Sequence, residues 1–67
     1  MNVSYKKLWK LLIDRDLKKK DLEKMAGVSH YVINKMTHGE NVTTDVLGRI
    51  CKALNVTMDD IMEFVDE

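Results

Sequence analysis

The stretch "DLEKMAGVSHYVINKM" (Asp21–Met36) decides how this chain folds. Leu22, Met25 and Ala26 fall at helical spacing before Gly27, and Val28, Ile33 and Met36 fall at helical spacing after it. Two amphipathic helices are therefore joined through "AGVS", too short for an ordinary loop. Gly27 lacks a Cβ and enters the left-handed backbone region that ends a helix. Ser29 is a good N-cap for the next one. That helix runs to about His38, where Gly39 stops it as a second left-handed cap. Its outer face carries His30, Tyr31, Asn34 and Lys35.

Working outward, the same periodicity predicts a first helix from Ser4, its cap, to Asp16, with Tyr5, Leu8, Leu11 and Leu12 inward and Trp9 and Ile13 widening the stripe. The second helix opens near Lys19. After the loop "ENVTTDV", Thr43 caps a fourth helix, with Asp45 in its first turn where negative charge suits the dipole. Val46, Leu47, Ile50, Cys51 and Leu54 form its apolar face, and Asn55 stops it. Thr57, echoed by Asp60 in the manner of a capping box, opens a fifth helix carrying Ile61, Met62, Phe64 and Val65. The expected fold is all-α: a compact five-helix domain spanning residues 1–67. Isolated helices this short are marginal, so their apolar faces must meet in one core.

Bulk composition narrows the class. There is no proline, a third of the residues are charged and nearly half are hydrophobic, which suits a folded helical domain rather than a disordered chain. The single cysteine, Cys51, excludes an internal disulfide, fits a reduced, cytoplasmic setting and reads as a small buried hydrophobe. No apolar run reaches the length of a membrane span, and "MNVSYKKLWKLLID" reads as a helix of the mature domain rather than a signal peptide. Formal net charge is zero, but its distribution is not even. Residues 1–38 hold nine Lys/Arg against four Asp/Glu, a net +5, and residues 39–67 hold two against seven, a net −5. One end suits a polyanion, and the other faces water or a basic partner.

A helix, a tight glycine-containing turn and a second helix at a steep angle form a helix-turn-helix unit. The first helix of such a pair lies across a phosphate backbone and the second enters the major groove, which accepts a helix. The residues from Lys19 to Gly39, "KKDLEKMAGVSHYVINKMTHG", resemble the Cro/repressor-type helix-turn-helix transcriptional regulators, in their short single-domain form. The continuation "NVTTDVLGRICKALNVTMDDIM" is similar to the family's helix four followed by a short capped helix five. Leu22, Ala26, Val28, Ile33 and Met36 match the family's buried apolar positions, Gly27 its turn glycine, Ser29 the cap of its recognition helix and Gly39 the glycine that closes that helix. Two positions depart from the pattern. Glu23 stands where Ala is usual and must tilt outward or pair with a neighbouring Lys, and Lys19 stands where Gln is common. The resemblance implies a lambda-repressor-like fold whose helix-turn-helix is formed by helices two and three.

By that resemblance, bases are read by His30, Tyr31 and Asn34, with Val32 or His38 at the margins. Asn34 has the groups to pair bidentately with adenine N6 and N7. Phosphates are expected at the N-termini of helices two, three and four, where free N–H groups and a positive dipole gather. The side chains there are Lys18, Lys19, Ser29, Asn41 and Thr43, with Lys35 on the flank of helix three. His30 and His38 lack Cys or acidic neighbours at ligand spacing, so no metal site is expected. No catalytic triad or phosphate-cradling loop appears, and neither an enzyme, a cofactor nor a small-molecule ligand is expected.

The leading expectation is a sequence-specific DNA-binding transcriptional regulator, a repressor or autoregulator, with double-stranded DNA as partner and a homodimer on a near-palindromic site. Trp9 and Ile13, with Phe64 and Val65, exceed what a minimal core needs. They form the dimer interface, or Phe64 and Val65 fold back onto Trp9 and Ile13 within one chain, or both hold in part. The alternative function is a protein-interaction adaptor or antitoxin-like module on the same fold. An RNA-binding role has less support, since neither an aromatic strand nor a GxxG clamp is present.

Overall fold

The computed structural model describes residues 2–66; the expected domain limits, 1 and 67, lie outside the described residues. Four α-helices form the body: α1 (Lys6–Asp14), α2 (Lys19–Ala26), α3 (His30–Thr37) and α4 (Thr44–Leu54). A short strand β1 (Asn2–Ser4) precedes them, and a 3-10 turn (Met58–Asp60) and strand β2 (Glu63–Val65) follow. The strands pair antiparallel, with Asn2 opposite Val65, Val3 opposite Phe64 and Ser4 opposite Glu63.

One cluster fills the centre. Tyr5, Leu8 and Leu12 enter it from the first helix and its cap, Leu22 and Ala26 from α2, Ile33 and Met36 from α3, Leu47, Ile50 and Leu54 from α4, and Ile61 from beyond the 3-10 turn. Within each helix these positions lie three or four residues apart, the spacing of one buried face. Burial pushes the Tyr5 phenol above its ordinary range, while a hydrogen bond from the Val42 backbone pulls the other way. That bond ties the start of α1 to the loop between α3 and α4.

Three sequence expectations are corrected here. The fifth helix is absent. Thr57 and Asp60 do make the expected reciprocal contact, with the Asp60 carboxylate accepting from the Thr57 N–H at 3.0 Å and hydroxyl at 3.1 Å. The turn they start closes after three residues. Ile61 is then fully buried, and Glu63–Val65 pair with β1, which satisfies backbone groups at both ends of the chain. Second, Ser4 belongs to β1, and the N-cap of α1 is the buried Tyr5. Ser4 Oγ still accepts from the Lys6 N–H, at 3.4 Å. Third, two positions expected on apolar faces stand in solvent: Ile13 is 73 % exposed and Met25 48 %. Asp16, at φ +57, turns the chain just after α1, and Leu17 rather than Ile13 packs against the core.

The four surplus apolar residues are placed differently from one another. Trp9 is partly buried against the core. Val65 lines the same surface cleft as Trp9, beside Tyr5 and Met36. Phe64, on the opposite face of β2, is 66 % exposed and shares a shallow cleft with Met58 and Met62.

Candidate nucleic-acid interface

The turn between α2 and α3 is built by two local devices. Gly27 sits at φ +66, and its N–H and that of Val28 both turn back to the Glu23 carbonyl. A side chain there would force the left-handed conformation on a residue with a Cβ. Ser29 is extended, and its hydroxyl accepts from the Val32 N–H at 3.2 Å. Leu22 and Ala26 on one helix and Ile33 and Met36 on the next point into the core, with Val28 half-buried between them. His30, Tyr31 and Asn34 are consequently left on the outer face of α3, all exposed. Gly39, at φ +73, closes α3 as the N–H of Glu40 returns to the Lys35 carbonyl.

Four of the sequence-predicted site residues converge. Tyr31 and Lys35 from α3, and Asn41 and Thr43 from the approach to α4, line one open cleft walled by Val32, Val42 and Val46. The Lys35 ammonium lies 5.8 Å from the Tyr31 ring centroid, within reach of a cation–π attraction. Thr43 caps α4 by accepting from the Val46 N–H at 3.3 Å. Caps made by neutral hydroxyls, as at α3 and α4, leave other first-turn N–H groups at the surface with the positive end of the dipole. At the start of α2 the Asp21 carboxylate accepts from the Lys18 N–H at 2.8 Å, and α4 carries Asp45 in its first turn, so of these three helices only α3 begins without a carboxylate of its own.

Of the remaining candidates, all but Val32 lie outside this cleft. Lys19 is held rather than loose: its ammonium donates to Thr37 Oγ1 at 3.0 Å and stands 4.5 Å above the Trp9 ring. It links α1, α2 and the end of α3. Lys18 is exposed at the N-cap of α2. His38 turns Nδ1 toward the Asn34 carbonyl at 2.8 Å, so it caps the C-terminus of α3. Val32 is half-buried as a wall of the cleft. Glu23 does not pair with a lysine; its carboxylate lies 3.1 Å from His30 Nδ1, the bond spanning the turn.

Sequence reasoning named Val32 but missed Thr37 and the other two valine walls of the cleft, Val42 and Val46. It missed the partner of Glu23 as well. Pairing rules within a helix reach three or four residues, whereas this contact joins residues seven apart across a turn.

The surface around the 3-10 turn and β2 is acidic. Asp59, Asp60, Glu63 and Asp66 gather around the 3-10 turn and β2, answered in part by Lys7, which lies 3.8 Å from the Glu63 carboxylate and donates to the Asp59 carbonyl. Hydrogen bonds from the Thr57 backbone and hydroxyl, with the charges of Lys7 and Arg15, hold Asp60 below the usual carboxylate range. Burial and the Asp60 charge push the Cys51 thiol up, which disfavours its nucleophilic thiolate form. Among the described residues no cluster of three or more His, Cys, Asp and Glu stands ready for a metal ion, and no helix is long and apolar enough to cross a membrane.

With this geometry in hand, three comparisons bear on identity. No curated protein matches the chain. The crystal structure of the transcriptional regulator VanUg, form II, superposes with a TM-score of 0.93 at 50 % sequence identity, covering 98 % of this chain and 88 % of that one. The family model of the Cro/C1-type HTH DNA-binding domain matches residues 7–67. The chain belongs to the Cro/C1-type helix-turn-helix family of DNA-binding domains, which makes DNA its partner.

Proposed function

We propose that this chain is a repressor or autoregulator that lays α3 in the major groove of its operator and excludes polymerase by occupying it. The observation that carries the reading is the outer face of α3. Its exposed side chains are His30, Tyr31 and Asn34, able to donate and accept hydrogen bonds, and it borders the cleft where Tyr31, Lys35, Asn41 and Thr43 meet. Asn34 takes an adenine edge, while His30 and Tyr31 act at the end of the helix that reaches bases first. Lys35, Asn41, Thr43 and Ser29 hold phosphates on either side, and Lys18 and Lys19 hold the backbone crossed by α2. Phosphate contacts fix register; base contacts carry the sequence information. The likeness to the transcriptional regulator VanUg supports the regulatory role.

A single module of this size covers little DNA. Two copies on a near-palindromic site, with half-sites about one helical turn apart, supply the rest. The exposed Phe64, with Met58 and Met62 beside it, supports pairing through the outer face of β2. Selection from random duplexes at low and moderate salt, followed by sequencing, tests the proposal. A near-palindromic consensus, with affinity falling steeply as salt rises, is the expected result. A flat salt response and no enriched site would remove the operator-binding claim and turn attention to a protein partner.

A further inference from the structure

We propose that Glu23 is a positioning residue for base recognition. It fixes the tautomer and ring plane of His30, so that the recognition helix presents His30 Nε2 as an acceptor selective for the exocyclic amine of adenine or cytosine. This deepens, and rests on, the reading of α3 as the base-contacting helix.

The argument starts from an asymmetry. The Glu23 side chain is 19 % exposed and that of His30 is 80 % exposed. Packing holds the carboxylate, and the imidazole is the partner free to turn. A carboxylate only accepts, so the 3.1 Å contact places the shared proton on His30 Nδ1. A neutral imidazole protonated at Nδ1 keeps its lone pair on Nε2, the ring nitrogen not engaged by Glu23. In the major groove adenine N6 and cytosine N4 are donors, whereas guanine N7 and O6 and thymine O4 are acceptors. An Nε2 acceptor fits the first pair and rejects the second. Were the proton on Nε2, the preference would invert.

His30 is the first residue of α3, the end that approaches base edges. A single hydrogen bond to a ring that is 80 % exposed adds little to fold stability, so orientation of the ring is the property this contact controls. The family usually carries Ala at the position of Glu23, which makes Glu23→Ala a variant expected to keep the fold.

The test has two arms. Long-range proton–nitrogen correlation spectra of the free protein read the His30 tautomer in the wild type and in Glu23→Ala. Site selection from random duplexes reads base preference in the wild type, Glu23→Ala and His30→Ala. The wild type is expected to carry the proton on Nδ1, and Glu23→Ala to lose that bias. One position of each half-site is expected to favour adenine or cytosine by about threefold to tenfold, a single hydrogen bond's discrimination. Both variants are expected to lose that preference while the rest of the consensus survives. A wild-type proton on Nε2 would overturn the proposal whatever the DNA data show. An Nδ1 proton with a preference unchanged in both variants would overturn the specificity role and leave major-groove reading intact. Absence of any enriched site would overturn base selection along with the proposed function, while the spectra would still report the Glu23–His30 bond.

Discussion

The reading face of α3 and the outer face of β2, here the two ends of the comparison, expose different chemistry. Around α3 the exposed side chains are polar, His30, Tyr31 and Asn34, with lysines 18, 19 and 35 on the flanks. Around β2 the exposed large side chains are apolar, Phe64 and Met58, and the flanks are carboxylates, Asp59, Glu63 and Asp66. A polar face discriminates through hydrogen bonds whose absence is costly; an apolar face associates through area, without direction. The acidic flank repels a polyanion, so it also sets which end approaches DNA. The difference teaches that zero net charge need not mean an even surface: the basic part of the sequence supplies the lysines that flank α3, while its Lys7 answers the carboxylates around β2 only in part.

The largest expected effect separates the ends by affinity. Asn34→Ala is expected to weaken binding to the selected site by about 1–3 kcal/mol and to relax specificity at one base position. Phe64→Ser is expected to leave half-site base preference unchanged and to lower self-association in sedimentation velocity. Equal loss of base preference in both variants would erase the distinction between the ends.

Next comes the turn that presents α3. Gly27→Ala forces a Cβ into the left-handed region at φ +66 and is expected to lower unfolding free energy by about 1–2 kcal/mol in urea titrations. Gly48→Ala is the control. Its added Cβ meets nothing within 4 Å, and the residue lies inside α4, so a gain of about 0.5–1 kcal/mol is expected. This contrast tests whether the geometry of the turn, rather than glycine content, sustains the reading face.

These positions also show what the sequence made legible. The helix-turn-helix was readable because its determinants are local: a glycine at a left-handed cap, a serine N-cap two residues later and apolar residues at helical spacing. The termini were not. β1 and β2 are three residues each, too short to show a period of two, and they pair across nearly the whole chain. The Thr57–Asp60 contact is the same signal whether it starts a helix or a single 3-10 turn, so a fifth helix was expected where the chain turns toward β1. Ile13 shares a helix face with Trp9, but the core ends before it. At the candidate site, exposure of His30, Tyr31 and Asn34 followed from the buried stripe, whereas the Glu23–His30 contact and the Lys19–Thr37 anchor depend on tertiary approach.

Smaller effects sharpen the electrostatic side of the comparison. Lys35→Ala is expected to weaken binding about equally across sequences and to reduce the salt slope by about 1. Asp59→Asn, at the other end, is expected to leave that slope unchanged. Asp60 supplies a pH test. Hydrogen bonds from Thr57 and the charges of Lys7 and Arg15 depress its folded value. The unfolded chain therefore binds the proton more tightly. The stabilisation is present above the ordinary carboxylate range and is lost as pH falls through the folded value. Thermal unfolding of Asp60→Asn is expected to show a smaller loss of stability on acidification than the wild type.

The most direct test of the central claim is a map of amide chemical-shift changes as the protein is titrated with its selected duplex. The account predicts the largest changes at residues 29–38, with others at 18–20 and 41–44, and none at 57–64 beyond those that dimer formation produces in a DNA-free dilution series. Changes centred on residues 57–64, with α3 unperturbed, would contradict it.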